Sequence, residues 1–457
     1  MTDLSARDDL ATAPAGESKL DVSSEGAGRG WRAYLRAMGP GLITGASDDD
    51  PSGIGTYSQA GSQFGYSMLW TALLTFPLMA AVQEICDRTA LATGSGLGEL
   101  AARSFTRVWK GVLGVLLVAL LVANTLNISA DVVAVGSGMH LLHAGPTALW
   151  ALVAGALVTA VLITGSFPLI ARVFKILCAA LLSYLAVLFM AHPPWGAIAH
   201  NTFVPHFRWT KDYIALFIAV LGTTISPYLF FWQSAHRLEE MREEPAGGSR
   251  ALPLRRRPRV EAMQKVRTSR VDVFTGMLFS NVVMFAVIAG TAATLGAHGS
   301  HNIASAADAA RALRPFAGRF ASAVFALGFI GSGMLAIPVL AGSGSVGIAG
   351  LLGKKWGFSQ SVRKAPVFYG LVLVGTVGGT LLSAVHIDPI RLLVYVAIVN
   401  GIAAAPFLVL VMIVANNKTL MGEYRNGRLA NVLGWLTAAM MAASAIAFFL
   451  TGGASGL

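Results

Sequence analysis

Long apolar runs alternate with short polar connections from about residue 36 to residue 451, and few of the runs contain a charge. A window of about 19 residues predicts eleven spans, near 36–64, 68–92, 111–140, 146–165, 168–191, 212–236, 271–297, 318–350, 366–386, 389–415 and 428–451. Two of them are interrupted. The first breaks at Asp48-Asp49-Asp50-Pro51-Ser52-Gly53, the sixth at Gly222-Thr223-Thr224-Ile225-Ser226-Pro227. Proline removes a backbone donor and glycine loosens the chain, so the helix is expected to stop at each place. Five spans separate the breaks. Broken helices at corresponding positions of two five-helix halves point to an inverted-repeat transporter with its site near mid-membrane. Pro77 and Pro338 read as tolerated kinks.

This pattern predicts an all-α membrane protein in four segments. A disordered cytoplasmic tail covers 1–33. The first five-helix repeat is 34–191, and the second is 192–415, with a cytoplasmic basic loop at 237–270. A loop and the eleventh helix complete it at 416–457. Composition agrees: 55% of residues are apolar, 12% are charged and mean hydropathy is +0.64, so lipid is the solvent for most of the chain. Fifty glycines suit close helix packing in a membrane. The net charge of +11 could suggest nucleic acid, but ten Lys or Arg lie between Arg237 and Arg270. That is a positive-inside signal, placing the N-terminus in the cytoplasm and the C-terminus outside a multi-pass protein of the cell inner (plasma) membrane. Cys86 and Cys178 lie in apolar runs and imply no disulfide framework, and residues 1–30 hold no apolar core of a signal peptide. The expected partners are the lipid bilayer and metal ions, with no nucleic acid, no cofactor and a monomeric chain.

Three consecutive acids are costly in hydrocarbon. Beside the carbonyls freed by a broken helix they make a hard-oxygen site for a cation. Asp50, nearest the break, is the expected direct ligand. On a continuous helix Asp49 and Asp48 would point about 100° and 200° away, so Asp49 is expected to hold a bound water or line the approach. Thr223 and Ser226, at i and i+3, share a face. Taken alone they read as hydroxyls bonded back to the preceding turn; beside Pro227 and opposite Asp50 they read as ligands. Asn124, Asn127 and Asp131 share another face, either as a residual aqueous or proton path or as an acid held by amides. Glu84, Asp87 and Arg88 read as a structural charge cluster.

Several stretches resemble Nramp divalent-metal transporters. They are Gly39-Pro40-Gly41, the Asp50-Pro51 break, Gly61-Ser62-Gln63-Phe64-Gly65-Tyr66, and Gln83 to Arg88 followed by Ala92-Thr93-Gly94. Ser269-Arg270-Val271-Asp272 and Leu420-Met421-Gly422-Glu423 belong with them. The resemblance implies a LeuT-type fold of eleven spans, with metal held between the first and sixth breaks. The chain departs from the family pattern where the metal would bind. Gly53 stands where the family carries an amide ligand, and Ser226-Pro227-Tyr228 stands for Met-Pro-His. A thioether favours softer transition metals. Gly53, Ser226 and Tyr228 therefore imply a wider, harder site, similar to that of the Nramp-related magnesium transporters and suited to Mg2+ and Mn2+. The two span-six histidines of the family are replaced by Tyr228 and Gln233, and the acidic partner of Asp131 by Ala134. Neither Tyr nor Gln titrates near neutrality, so the expectation is metal moving down its own gradient without protons. Three alternatives remain at this point: a proton-coupled Mn2+/Fe2+ symporter of the Nramp type, a sodium-coupled solute transporter, and, from another class, an intramembrane aspartyl enzyme using Asp50 and Asp131. A transporter rather than an enzyme is expected.

Overall fold

The computed structural model describes residues 39–164, 167–245, 251–294, 321–384 and 389–450. The predicted tail 1–33 lies outside them. The chain forms helices joined by short turns: α1 (Pro40–Asp48), α2 (Pro51–Phe64), α3 (Trp70–Thr93), α4 (Leu97–Ser104), α5 (Arg107–Leu141), α6 (Thr147–Thr164), α7 (Phe167–Cys178), α8 (Leu182–Met190) and α9 (Trp195–Phe203). There follow α10 (Lys211–Thr224), α11 (Pro227–Glu243), α12 (Arg259–Thr294), α13 (Ala321–Leu351), α14 (Pro366–Leu382), α15 (Pro389–Asn416), α16 (Lys418–Met421) and α17 (Arg428–Leu450). Helix occupies each predicted stretch. By length and apolarity, eight helices among the described residues can cross a bilayer, or nine if Pro51–Met68 and Trp70–Thr93, bent by 110°, count as one.

Both interruptions fall where the prolines put them. Asp49 ends α1 with φ −88° and ψ 49°, and Asp50 is the extended N-cap of α2 with Pro51 in its first turn. Ile225 ends α10, and Ser226 is the extended N-cap of α11 with Pro227 next. Pro is tolerated at a first helical turn because its missing N–H has no intrahelical partner there. Burial separates the helices carrying the breaks from those at the rim. Of the apolar window of Lys211–Glu243, 89% is buried in protein, against 28% for Thr147–Thr164. The rim helices expose Val115, Leu152, Leu157 and Leu436, as lipid-facing surfaces do.

Glycines set how closely α1 sits on α12. A Cβ on Gly45 would lie 2.0 Å from the Gly276 carbonyl oxygen, and one on Gly276 would lie 1.9 Å from that of Gly41. The two backbones touch, as small-residue crossings in membranes allow. The free amides of the first turn of α1 are satisfied by Asp272 of α12, whose carboxylate accepts from Gly39 N at 2.9 Å and Gly41 N at 2.8 Å.

The basic stretch 237–270 is mostly helix rather than loop: α11 continues to Glu243 and α12 begins at Arg259. Arg237 is buried inside the bundle, because its partners Asp87 and Asp272 lie on other helices.

Candidate metal site

Asp50 lies between the two breaks with no solvent exposure. Its Oδ1 accepts from the Ser52 hydroxyl at 2.5 Å and from Gly53 N at 2.8 Å, an N-cap contact that closes the first turn of α2. Its Oδ2 accepts from Asn127 Nδ2 of α5 at 2.9 Å and from the Tyr228 hydroxyl of α11 at 3.2 Å. In this conformation four donors thus engage the two oxygens of this carboxylate, and an ion would take the place of some of them. Three helices meet at it: α2, α5 and α11.

Thr223 approaches from α10, with its hydroxyl 3.4 Å from that of Ser52. The Ser226 hydroxyl donates back to the carbonyls of Gly222 at 2.6 Å and Thr223 at 3.0 Å, leaving its lone pairs as the part available to an ion. Gly53 is closely surrounded. A Cβ there would meet the Asp48 carbonyl oxygen and the Thr223 hydroxyl at 3.2 Å, and the Tyr57 ring at 3.3 Å. A larger side chain at residue 53 would therefore press on its neighbours in this conformation. Residue size alone could not reveal this, because Tyr57, one turn along α2, closes over the glycine.

Asp48 and Asp49 both reach Ser280. The Ser280 hydroxyl of α12 donates to Asp48 Oδ2 at 2.8 Å and reaches Asp49 Oδ1 at 3.4 Å. Asp48 is the last residue of α1 and Asp49 its non-helical C-cap. Asp48 Oδ1 and Asp49 Oδ2 have no hydrogen-bond partner. The predicted face Asn124, Asn127, Asp131 divides. Asn127 reaches Asp50, while Asn124 donates to the Leu340 carbonyl at 2.8 Å and to Ser343 at 3.1 Å. Both carboxylate oxygens of Asp131 are buried without a partner, so it is not an acid held by amides. Among the described residues no cluster of three or more His, Cys, Asp or Glu is arranged to hold a metal. Any cation here must draw on hydroxyls, amides and carbonyls as well.

Ser52, Tyr57 and Ser280 line this region and were not singled out from the sequence. Ser52 and Tyr57 follow Asp50 at two and seven residues, a spacing that could have flagged them. Ser280 is 232 residues from Asp48, and only its polarity within an apolar run marks it.

A second buried charge cluster is built by Arg237 of α11, Asp87 of α3 and Asp272 of α12. Arg237 donates to Asp87 at 2.7 Å and to Asp272 at 2.9 Å, and also pairs with Glu240. Asp87 further accepts from Gln233 at 2.6 Å and from Ser269. Beside it Glu84 accepts from Arg88 at 3.0 Å and Arg270 at 2.8 Å. Here every acid has a cation.

A sequence profile described as natural resistance-associated macrophage protein-like, Nramp, matches residues 41–451. The chain belongs to the Nramp family. A divalent metal cation transporter MntH from Caldanaerobacter subterraneus is 23% identical over 424 residues, covering 92% of this chain and 94% of that protein. The MntH of Deinococcus radiodurans is 25% identical over 425 residues, covering 91% and 89%. In structure, the Nramp chain is similar to the Eremococcus coleocola manganese transporter, with a TM-score of 0.71 at 17% identity over 98% of this chain and 90% of that one. It is more distantly similar to Mhp1, a nucleobase-cation-symport-1 family transporter, with a TM-score of 0.52 at 14% identity over 92% and 93%. These likenesses establish a LeuT-type membrane fold. Family membership sets aside the intramembrane enzyme. The geometry agrees, since an aspartyl pair shares a proton between touching carboxylates and neither oxygen of Asp131 has a hydrogen-bond partner among the described residues.

Proposed function

We propose that this Nramp-family chain carries divalent metal cations across a membrane, with Mg2+ and Mn2+ as its substrates, by alternating access and without proton coupling. One observation carries the reading: Asp50, fully buried where two broken helices meet, sits among hydroxyl and amide groups and, among the described residues, has no basic side chain paired to it. A carboxylate so placed is matched by a mobile cation rather than a fixed one. Asn127 Oδ1, buried and without a partner, supplies the amide oxygen that Gly53 lacks. With Asp50, Thr223, Ser226 and freed carbonyls it makes an all-oxygen donor set, in which Tyr228 positions Asp50. Such donors suit hard ions, and Mg2+ retains several waters when bound.

The absence of proton coupling rests on Tyr228 and Gln233 occupying the positions of the family's span-six histidines. The Tyr228 hydroxyl is engaged with Asp50, and the Gln233 amide is bound to Asp87. An inside-negative potential of 100 mV favours entry of a dication by about 4.6 kcal/mol, so no proton gradient is needed to drive uptake. The deciding experiment measures Mg2+ and Mn2+ flux into proteoliposomes containing a pH dye, with and without an imposed pH gradient. Metal entry at equal rates in both conditions, with no lumenal acidification, is expected. Acidification at a fixed ratio to metal entry would return the chain to the proton-coupled Mn2+/Fe2+ symporters.

A further inference from the structure

We propose that the groove between the start of α5 and the end of α15 seats one anionic diacyl phospholipid, with an acyl chain between the helices and its phosphate against Arg107, Lys110 and Lys418. The inference concerns the lipid-facing surface and does not depend on which ion is carried or how. The first turns of α5 and the last turns of α15 border a cavity of about 290 Å³. Trp109, Val112, Leu113 and Leu116 recur at three- and four-residue intervals and so share one face of α5. Val409 and Ile413 face them from α15, and every side chain lining the groove is apolar or aromatic. Pro406, also in the lining, stands inside α15. A proline in a helix interior removes a backbone bond and favours a bend, which suits a gap at this position.

In a bilayer an apolar gap selects little, because all lipid tails are about equally apolar. Charge supplies the selection. Positions 103–116 and 406–418 hold Arg103, Arg107, Lys110 and Lys418 and no Asp or Glu. Arg103 and Arg107 flank Phe105, Lys110 follows Trp109, and Lys418 comes two residues after α15 ends, so all four lie toward one end of the groove. Arg103 has an acid nearby, Glu99 at 3.9 Å. Arg107 and Lys418 are exposed and Lys110 is half-buried, and none of these three enters an ion pair among the described residues. Trp109, 62% exposed, marks the depth. Indole rings favour the boundary between hydrocarbon and headgroups, which puts the neighbouring cations at phosphate level. The surface is complementary to a lipid with a net negative head. A zwitterionic head brings its own ammonium group to the same cations and loses much of that attraction.

The test mixes the purified full chain, in detergent micelles, with equal amounts of phosphatidylglycerol and phosphatidylcholine of identical acyl chains. Lipids retained per protein are counted by native mass spectrometry, alongside melting curves. The wild-type chain is expected to retain one phosphatidylglycerol with a preference of at least about tenfold, at about fivefold for each engaged cation. Arg107→Gln combined with Lys110→Gln should lower that preference by about tenfold without moving the melting curve. Val409→Trp fills the groove and keeps every charge, and should lower retention of phosphatidylglycerol severalfold. Equal retention of the two lipids by the wild-type chain overturns the site, as does a preference unchanged by the two glutamines. Retention unchanged by Val409→Trp would mean that charge alone holds the lipid, and would remove the groove from the proposal. A dimer present in the wild-type chain and lost in Val409→Trp would assign the groove to a second copy of the chain and overturn the lipid reading.

Discussion

Around Arg237, the buried acids Asp87 and Asp272 and the partly buried Glu240 meet one guanidinium, and further donors from Gln233, Ser269 and the first turn of α1 fill much of what remains. Around the two breaks, Asp48, Asp49, Asp50 and Asp131 are equally buried, yet none forms an ion pair among the described residues, and three of the four retain oxygens without a partner. The contrast separates two uses of a buried carboxylate. A satisfied cluster holds helices together, and removing any member leaves the others exposed to desolvation. An unsatisfied cluster contributes nothing of the kind to the fold. On the proposed reading, the transported cation supplies the missing charge.

Substitutions in the two regions should therefore have opposite consequences. The largest effect is expected from Asp50→Ala, which removes uptake of Mg2+ and Mn2+ in proteoliposomes to background, at least about a hundredfold, while the protein stays monodisperse. Uptake at the wild-type rate would place the site elsewhere. Next comes Arg237→Ala. It strands buried carboxylates on α3 and α12 and should cost about 3–5 kcal/mol, seen as a marked fall in melting temperature in detergent and poor yield. An unchanged melting curve would remove the structural role of that cluster. Ser226→Met should shift the balance of uptake toward Cd2+ and away from Mg2+ by about tenfold, through ligand softness and lost room for water. Equal uptake ratios before and after would show that Ser226 does not face the ion. The smallest effect is expected from Asp131→Asn, which replaces a partnerless acid by a neutral isostere. It should raise stability by about 1 kcal/mol, and a loss as large as that of Arg237→Ala would erase the distinction between the two regions.

How much of this was legible depended on distance along the chain. The breaks were legible because proline, glycine and consecutive acids act locally, and Asp50 stood out as the residue beside the first of them. The special role of Asn127 was half visible: its helical face was evident, but its contact with Asp50 crosses 77 positions. Arg237 was read as part of a cytoplasmic loop because a window average counts charges without seeing that Asp87 and Asp272 surround this one. Asp48 and Asp49 were given directions away from Asp50 by ideal helix geometry. No neighbouring letter tells that Ser280 lies across from them. The neighbours of Gly53 were not legible for a similar reason, since the Thr223 hydroxyl beside it comes from a distant part of the chain.

The glycine crossing of α1 over α12 bears on how tolerance to substitution should be interpreted in this protein. Gly41, Gly45 and Gly276 lie where one added carbon would overlap backbone atoms of the opposing helix, with nothing flexible to move aside. In a saturation library scored for growth or uptake, these three positions would accept almost no replacement, and so would Asp50. Intolerance by itself would then not distinguish a hinge surface from a ligand. The distinguishing signature is chemical: alanine would be as damaging as leucine at the glycines, whereas at Asp50 glutamate should fare better than asparagine or alanine. A screen that pools all replacements at a position would merge the two classes, and one that ranks them by size and by charge would separate the helix contact from the proposed ligand.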